Sequence, residues 1–103
     1  MSDNLVKDIW KEELQRSRDI LEIKIKRLQG LPKGSIQPRN RRKGVYYYLY
    51  FREGKKVKSV YLGNDSEKIS RVRERLAQRK SLEQSILRTK KDIRLLEKAM
   101  LLK

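Results

Sequence analysis

Aromatic and cationic side chains are concentrated in one short stretch of this 103-residue chain. All five tyrosines and the only phenylalanine fall between Val45 and Gly63, directly after the run Arg39 to Lys43, which reads Arg-Asn-Arg-Arg-Lys. Cations attract the phosphates of a polyanion, and aromatic rings stack on bases or wedge between them. These residue types in this order predict a surface that binds nucleic acid.

The predicted nucleic-acid-binding residues are cations and tyrosines of this stretch, together with one cationic stripe further along the chain. Arginines at steps of four lie on one side of a helix, and the stripe has that spacing. The full set is Lys33, Arg39, Arg41, Arg42, Lys43, Tyr46, Tyr48, Tyr50, Arg52, Lys55, Lys56, Lys58, Arg71, Arg75 and Arg79.

Composition narrows the class of protein. The formal net charge is +15 and 40% of the residues are charged, which favours acidic partners, DNA or RNA before an anionic membrane. Histidine and cysteine are both absent, so imidazole catalysis, thiolate chemistry, disulfides and the usual zinc sites are excluded. No apolar run approaches the roughly 20 residues that span a bilayer. We expect a cytoplasmic protein that needs no cofactor.

The first segment has the periodicity of an amphipathic helix. From about residue 3 to residue 29, apolar residues recur at steps of three, four or seven positions, which places them on one helix face. Gly30 and Pro32 then end the helix. The apolar face comprises Val6, Trp10, Leu14, Leu21, Ile25 and Leu28, and Trp10 is most simply a core residue.

Residues 30–63 change to the alternation of strands, with β-branched and aromatic side chains. We predict a hairpin that turns at Glu53-Gly54, and Gly34 to Ile36 could add a short third strand. With a two-residue loop, Tyr46, Tyr48 and Tyr50 face Tyr61, Ser59 and Val57, and the alternate residues face the other way. A three-residue loop would shift this pairing by one residue. The sequence therefore leaves open which aromatic residues are exposed.

A second, longer helix follows from about residue 64 to residue 103. Asn64, Asp65 or Ser66 can cap it, and Glu67 lies in its first turn. Apolar residues then follow the heptad spacing of a coiled-coil seam. Short connections make the two helices antiparallel, which predicts a single α+β domain with a helical stalk and a small antiparallel sheet between the helices. The seam residues are Leu82, Ile86, Thr89, Ile93, Leu96 and Met100, and the last two could form a homodimer contact.

The positive charge is unevenly distributed along the chain. Residues 1–29 carry a net charge of +1, residues 30–63 carry +8 and residues 64–103 carry +6. Arg71, Arg75 and Arg79 lie in the half of the second helix that is nearer the hairpin. We therefore expect the sheet and this stripe to share one basic face.

The hairpin resembles a family of small bacterial domains of unknown function that occur near transposases and on mobile elements. The resemblance rests on Gly34-Ser35-Ile36, Tyr46-Tyr47-Tyr48-Leu49, Arg52-Glu53-Gly54 and Lys58 to Leu62, followed by a long helix. It covers roughly residues 31–100 and leaves out the first helix. Many relatives carry a cysteine cluster where this chain has Arg39 to Lys43, so no metal role carries over. The sheet is also similar to the three-stranded arm-binding domain of integrases, by analogy of fold.

Three functions compete. The leading hypothesis is a non-catalytic nucleic-acid-binding protein of a mobile element or phage. The second is a small inhibitor, similar to an anti-CRISPR protein, that binds a nucleoprotein complex. The third is a structural coiled-coil protein whose charge is incidental.

An enzyme is disfavoured because the chain has no phosphate-binding glycine loop and no nucleophile elbow. Asp8, Glu12 and Glu13 could in principle hold magnesium. Each has a basic residue within one helical turn, as Glu12 has Arg16, so ion pairing is the simpler interpretation.

Overall fold

The structure is a computed structural model that describes the backbone of residues 2–101 and the side chains of residues 5–101. It contains two helices and a three-stranded antiparallel sheet, which confirms the predicted α+β fold. In chain order the elements are α1 Ser2–Gln29, β1 Ser35–Arg41, β2 Gly44–Glu53, β3 Lys56–Gly63 and α2 Ser66–Leu101.

Residues up to Gly30 and from Ser81 onward form one compact unit, and residues Leu31 to Lys80 form a second. The second is called the sheet unit below, and the first the helical unit. α2 contributes residues to both. The prediction that the whole chain is one domain stays a prediction.

The sheet has the order β1-β2-β3, so β2 lies in the centre and pairs with both neighbours. The turn between β2 and β3 is Gly54-Lys55 instead of the predicted Glu53-Gly54. Gly54 has a φ of 63°, which suits the first position of a tight hairpin turn. Because the loop still has two residues, the predicted faces are kept but the cross-strand partners move by two residues: Tyr48 lies opposite Tyr61, and Tyr50 opposite Ser59.

β1 is longer than predicted, and this corrects the interpretation of the basic run. Arg39 to Arg41 belong to the strand, and only Arg42-Lys43 form the turn to β2. Pro38 is tolerated because β1 is an edge strand, where a missing N–H donor on the outer side costs little. Gly34 precedes the strand with a φ of 116°, and a Cβ there would collide with the carbonyl oxygen of Tyr50.

One face of the sheet packs against the start of α2. Leu49, Leu62 and Ile69 are buried together and form the core of the sheet unit. The half-buried side chains around them come from both the sheet and the helix, namely Ile36, Tyr47, Phe51, Val72 and Leu76. Removing this apolar surface from water is what stabilises a sheet of only three strands.

α2 begins at a capped end. The Asp65 carboxylate Oδ1 accepts hydrogen bonds from the backbone N–H groups of Glu67 and Lys68, at 3.0 and 3.4 Å, and the Asp65 carbonyl accepts one from Ile69 at 3.0 Å. The cap satisfies amide groups that have no partner inside the helix. Of the three candidates, Asp65 is therefore the cap, and it fixes where the helix starts relative to β3.

In the helical unit, α1 and the second part of α2 run antiparallel, as predicted. Arg18 pairs with Glu97 at 3.4 Å, and further along α1 the Lys24 ammonium donates to the Thr89 hydroxyl at 2.9 Å. A residue nearer the end of α1 therefore contacts a residue nearer the start of α2, as expected for antiparallel helices. The seam is confirmed, since Ile86, Thr89 and Ile93 are buried and Leu82, Leu96 and Met100 are half-buried. The predicted apolar face of α1 is confirmed in part: Leu14 is buried and Trp10, Leu21 and Leu28 are half-buried, but Val6 and Ile25 are exposed.

Two further observations concern the helices. Arg16 pairs with Glu13 at 3.2 Å and not with Glu12, so this ion pair is one residue away from the expected one, while a second pair on α1 joins Lys26 and Glu22 at 3.8 Å. No helix between residues 2 and 101 is long and apolar enough to cross a membrane.

Candidate nucleic-acid interface

Strand alternation and the observed register divide the sheet into two faces. The face that carries Leu49 and contacts α2 is called the packed face, and the opposite one the open face. The open face carries no carboxylate among its strand residues, although the chain has 13. Its residues are Ser35, Gln37, Arg39 and Arg41 of β1, Tyr46, Tyr48, Tyr50 and Arg52 of β2, and Val57, Ser59 and Tyr61 of β3.

Four tyrosine rings form a continuous row on the open face. The Tyr48 ring centroid lies 5.2 Å from that of Tyr61 and 6.2 Å from that of Tyr50, and the Tyr46 and Tyr61 centroids are 6.2 Å apart. The rings are tilted at 35–59° to one another, within the range of favourable aromatic pairs. Tyr61 remains 53% exposed. Tyr46, Tyr48 and Tyr50 are half-buried on the open face, whereas Tyr47 and Phe51, which are also half-buried, pack against the core of the sheet unit.

Two arginines of β1 lie over two of these rings with the same geometry. The Arg39 guanidinium carbon is 5.4 Å from the Tyr50 ring centroid, and its Nε donates to the Tyr50 hydroxyl at 2.9 Å. The Arg41 guanidinium carbon is 5.6 Å from the Tyr48 centroid, and its Nη2 donates to the Tyr48 hydroxyl. Each arginine therefore contacts a tyrosine that lies four residues beyond its own cross-strand partner in β2. The result is a repeated arginine–tyrosine unit.

These contacts hold the guanidinium groups in place without neutralising them. A tyrosine hydroxyl is uncharged, and a guanidinium has five N–H donors, of which each of these hydrogen bonds uses one. Within residues 5–101, Arg39, Arg41, Arg42 and Lys43 form no ion pair with a carboxylate. The four cations are therefore available to an external anion, and two of them are already oriented.

The cations and rings converge at the turn between β1 and β2. A concavity of about 360 Å³ is lined by Arg41, Arg42, Lys43, Tyr46 and Tyr61. A second of about 310 Å³ lies along β1 and is lined by Arg39, Asn40, Arg41, Tyr48 and Tyr50. Both combine aromatic surface with at least two cations, a combination that suits a base and its phosphate.

Four of the predicted cations in the strands and their connections lie away from the open face. Lys56 and Lys58 alternate with the open-face residues of β3 and so belong to the packed face. The Lys58 ammonium pairs there with the Glu53 carboxylate at 2.9 Å. Lys55 is in the turn to β3, and Lys33 precedes β1; both are exposed. Arg52, by contrast, has open-face parity and is exposed at the end of β2 remote from Arg42.

The prediction of a basic face shared by sheet and helix is wrong. Ile69, Val72 and Leu76 attach α2 to the packed face, so Arg71, Arg75 and Arg79 belong to an element on the other side of the sheet from the tyrosines. Arg71 and Arg75 are exposed there, while Arg79 is half-buried and its Nη1 donates to the Leu31 carbonyl at 2.9 Å.

The structure adds two residues that sequence reasoning did not include in the site. Tyr61 completes the row of rings, and Gln37 lies opposite Tyr48, two residues before Arg39 on β1. The sequence does contain a signal for Tyr61, because a two-residue loop already places it on the same face as Tyr46. Gln37 could not be found without the full length of β1.

Within the part of the chain that the structure describes, no group of three or more acidic residues is arranged to hold a metal ion. Glu13 is paired with Arg16, so one of the three carboxylates that might have bound magnesium is engaged in an ion pair.

The fold and the open face define a small α+β domain whose exposed sheet surface is aromatic and cationic. Residues 11–71 match the family described as Domain of unknown function (DUF6788), and because this is more than half of the chain, the chain belongs to that family. The match confirms a family of unknown function but corrects the expected extent, since it includes most of α1 and ends in the first turns of α2. Searches of curated proteins and of solved structures give no match.

Proposed function

We propose that this protein binds nucleic acid without catalysing a reaction on it, and that the open face is the binding surface. The observation that supports this most directly is the repeated arginine–tyrosine unit on a sheet face that has no carboxylate. Such a face would otherwise concentrate like charges without a counterion, and phosphate supplies one. That the protein belongs to a mobile element or phage is part of the proposal and rests on the resemblance of the hairpin.

The arrangement of the rings favours unpaired bases over a closed duplex. Arg39 and Arg41 lie over the Tyr50 and Tyr48 rings, whereas in the described structure no guanidinium lies over the ring of Tyr46 or Tyr61. These two rings line the concavity that also holds Arg42 and Lys43. A base that stacks on the Tyr61 ring can place its phosphates on these cations. Stacking of this kind tolerates any base sequence.

Charge reversal on the two sides of the sheet tests the proposal. The variant Arg39→Glu with Arg41→Glu and the control Arg71→Glu with Arg75→Glu each lower the formal net charge by four, from +15 to +11. We expect the first to weaken binding of single-stranded DNA by at least about 100-fold, since it removes two charge-assisted phosphate contacts of about 1.5–3 kcal/mol each. The control should change affinity by less than about fivefold, through long-range charge alone.

Fluorescence anisotropy with labelled single-stranded DNA, duplex DNA and structured RNA at low salt measures these affinities. Equal losses in the two double variants would show that net charge, and not the open face, is responsible. Failure of the wild-type chain to bind any of the three probes would overturn the proposal. Loss of binding that is confined to duplex DNA would favour insertion of the sheet into a major groove instead.

Salt dependence provides an independent measure of the number of phosphates. Four cations near the β1–β2 turn, or five when Arg52 is added, predict a slope of log K against log salt between about −3 and −4.5. The charge-reversal variant on the open face should reduce the steepness by about one to two. A slope near zero in the wild-type protein would contradict electrostatic binding.

A further inference from the structure

α1 carries a second apolar stripe on the side away from its contact with α2. Leu5, Ile9, Ile20 and Ile23 are 63%, 50%, 40% and 58% exposed. At 100° per residue these four side chains fall within about 60° of one another, whereas Leu14 lies on the opposite side of the helix. Single exposed apolar residues are ordinary, but a stripe at helical spacing resembles the seam of a helix pair.

The stripe is interrupted at its middle by charges of both signs. Glu12, Glu13 and Arg16 lie between the two apolar pairs and within about 50° of the centre of the stripe. The pattern along the helix is therefore apolar, acidic, basic, apolar, and it is close to symmetric about residue 14. Read in the opposite direction, the same stripe presents apolar, basic, acidic, apolar.

We infer that this stripe is the contact between two copies of the chain, with their α1 helices antiparallel. In that arrangement Leu5 lies opposite Ile23 of the partner, Ile9 lies beside Ile20, and Glu12 and Glu13 face Arg16. A parallel pair would instead place glutamates against glutamates and arginine against arginine, which is destabilising. The charge pattern therefore selects both the occupant and its direction. This inference does not depend on the proposed nucleic-acid binding.

A membrane surface fits the stripe less well. Helices that lie in the interface have a continuous apolar face and many lysines or arginines on the other side. Here the apolar face is broken by two glutamates, and residues 1–29 carry a net charge of only +1. Inserting this face into a bilayer would bury carboxylates, whereas an antiparallel partner supplies the arginine that pairs with them.

Mass measurement of the whole chain tests the inference. The stripe is about 27 Å long between Leu5 and Ile23 at 1.5 Å per residue, which is small for an interface, so we expect a dimer at micromolar concentration. Sedimentation equilibrium should give twice the 12.4 kDa chain mass at high concentration and the single mass on dilution. Ile9→Lys with Ile23→Lys should raise the dissociation constant at least tenfold. Leu95→Lys, at a leucine that is 63% exposed on α2, is the matched control.

A complementary pair of variants keeps the test independent of folding defects. Arg16→Glu makes the middle of the stripe entirely acidic, and Glu12→Lys with Glu13→Lys makes it entirely basic. Each variant alone should be monomeric, and an equimolar mixture should recover the dimer mass. A monomeric wild type at about 100 μM overturns the inference, as does a dimer that only Leu95→Lys abolishes.

Cross-linking determines the direction of the two helices, because the natural chain has no cysteine. Under mild oxidation, a mixture of Leu5→Cys and Ile23→Cys chains should form a disulfide-linked dimer. Neither variant should cross-link to itself, since equivalent residues lie about 27 Å apart in an antiparallel pair. Efficient self-cross-linking of Leu5→Cys would show a parallel pair and overturn the proposed arrangement.

Discussion

The two faces of the sheet are built from alternate residues of the same three strands, and yet their side chains have different surroundings. On the packed face, Leu49 and Leu62 are buried against Ile69 of α2. On the open face, Arg39 and Arg41 lie over tyrosine rings and are exposed. Because strand side chains alternate, a substitution acts on one face only. We therefore expect substitutions on the two faces to change stability and the proposed nucleic-acid binding separately.

The same contrast separates two sets of arginines that look equivalent in the sequence. Arg39 and Arg41 are held by hydroxyl groups and aromatic rings, whereas Arg71 and Arg75 are exposed on a helix on the other side of the sheet. An oriented cation loses less side-chain entropy when it binds a phosphate. Equal charge therefore does not imply an equal contribution to binding.

The largest effect on stability is expected on the packed face. Leu49→Ala removes a core side chain that is 7% exposed, so the free energy of unfolding should fall by about 2–5 kcal/mol. Val60, directly opposite on β3 and 46% exposed, is the matched control, and Val60→Ala should cost less than about 1 kcal/mol. Urea denaturation followed by circular dichroism measures both.

The binding of Leu49→Ala sharpens the comparison. Below its unfolding transition the variant should bind nucleic acid like the wild type, because the open face is unchanged. A variant that remains fully folded but binds much more weakly would show that the two faces are not separable. Equal destabilisation by Leu49→Ala and Val60→Ala would contradict the assigned core.

On the open face, the largest single-residue effect is expected for Tyr61. Tyr61→Ala removes the most exposed ring of the row, and affinity for single-stranded DNA should fall by about 1–3 kcal/mol, while affinity for duplex DNA changes far less. Val57→Ala, on the same strand and the same face, is the control and should bind like the wild type. Equal losses for both DNA forms would argue against stacking on unpaired bases.

Much of this fold could be predicted from the sequence because its signals are periodic. Apolar residues recur every three or four positions along α1 and α2, and side chains of one kind recur every two positions along β2. This spacing indicates which residues share a face. The two faces of the hairpin were predicted correctly although the turn was misplaced by one residue. Moving a two-residue loop by one position shifts the cross-strand partners by two residues, so each side chain stays on the same face. The tyrosine set Tyr46, Tyr48 and Tyr50 was recoverable for that reason.

β1 and the position of α2 could not be predicted in the same way. β1 contains Pro38 and a run of polar cations, and its strand conformation depends on pairing with the backbone of β2. The shared basic face was predicted from nearness along the chain. It failed because the apolar residues Ile69, Val72 and Leu76 pack against the sheet face that carries Leu49. The packing of these apolar residues therefore determines on which side of the sheet the arginines of α2 lie.

The smallest predicted effect tests whether the arginines are oriented by their hydroxyl partners. Tyr48→Phe removes the group that accepts the hydrogen bond from Arg41 but keeps the ring beneath it, so affinity for single-stranded DNA should fall by about two- to tenfold, the value of one such bond. Tyr46→Phe is the matched control, since among the described residues no side chain donates a hydrogen bond to the Tyr46 hydroxyl. If the two variants lose affinity equally, the hydroxyl groups contact the nucleic acid themselves, and Arg41 needs no orientation by Tyr48. If only Tyr48→Phe loses affinity, and the loss disappears when Arg41 is also replaced, the hydroxyl acts through the arginine, because coupled residues do not contribute additively.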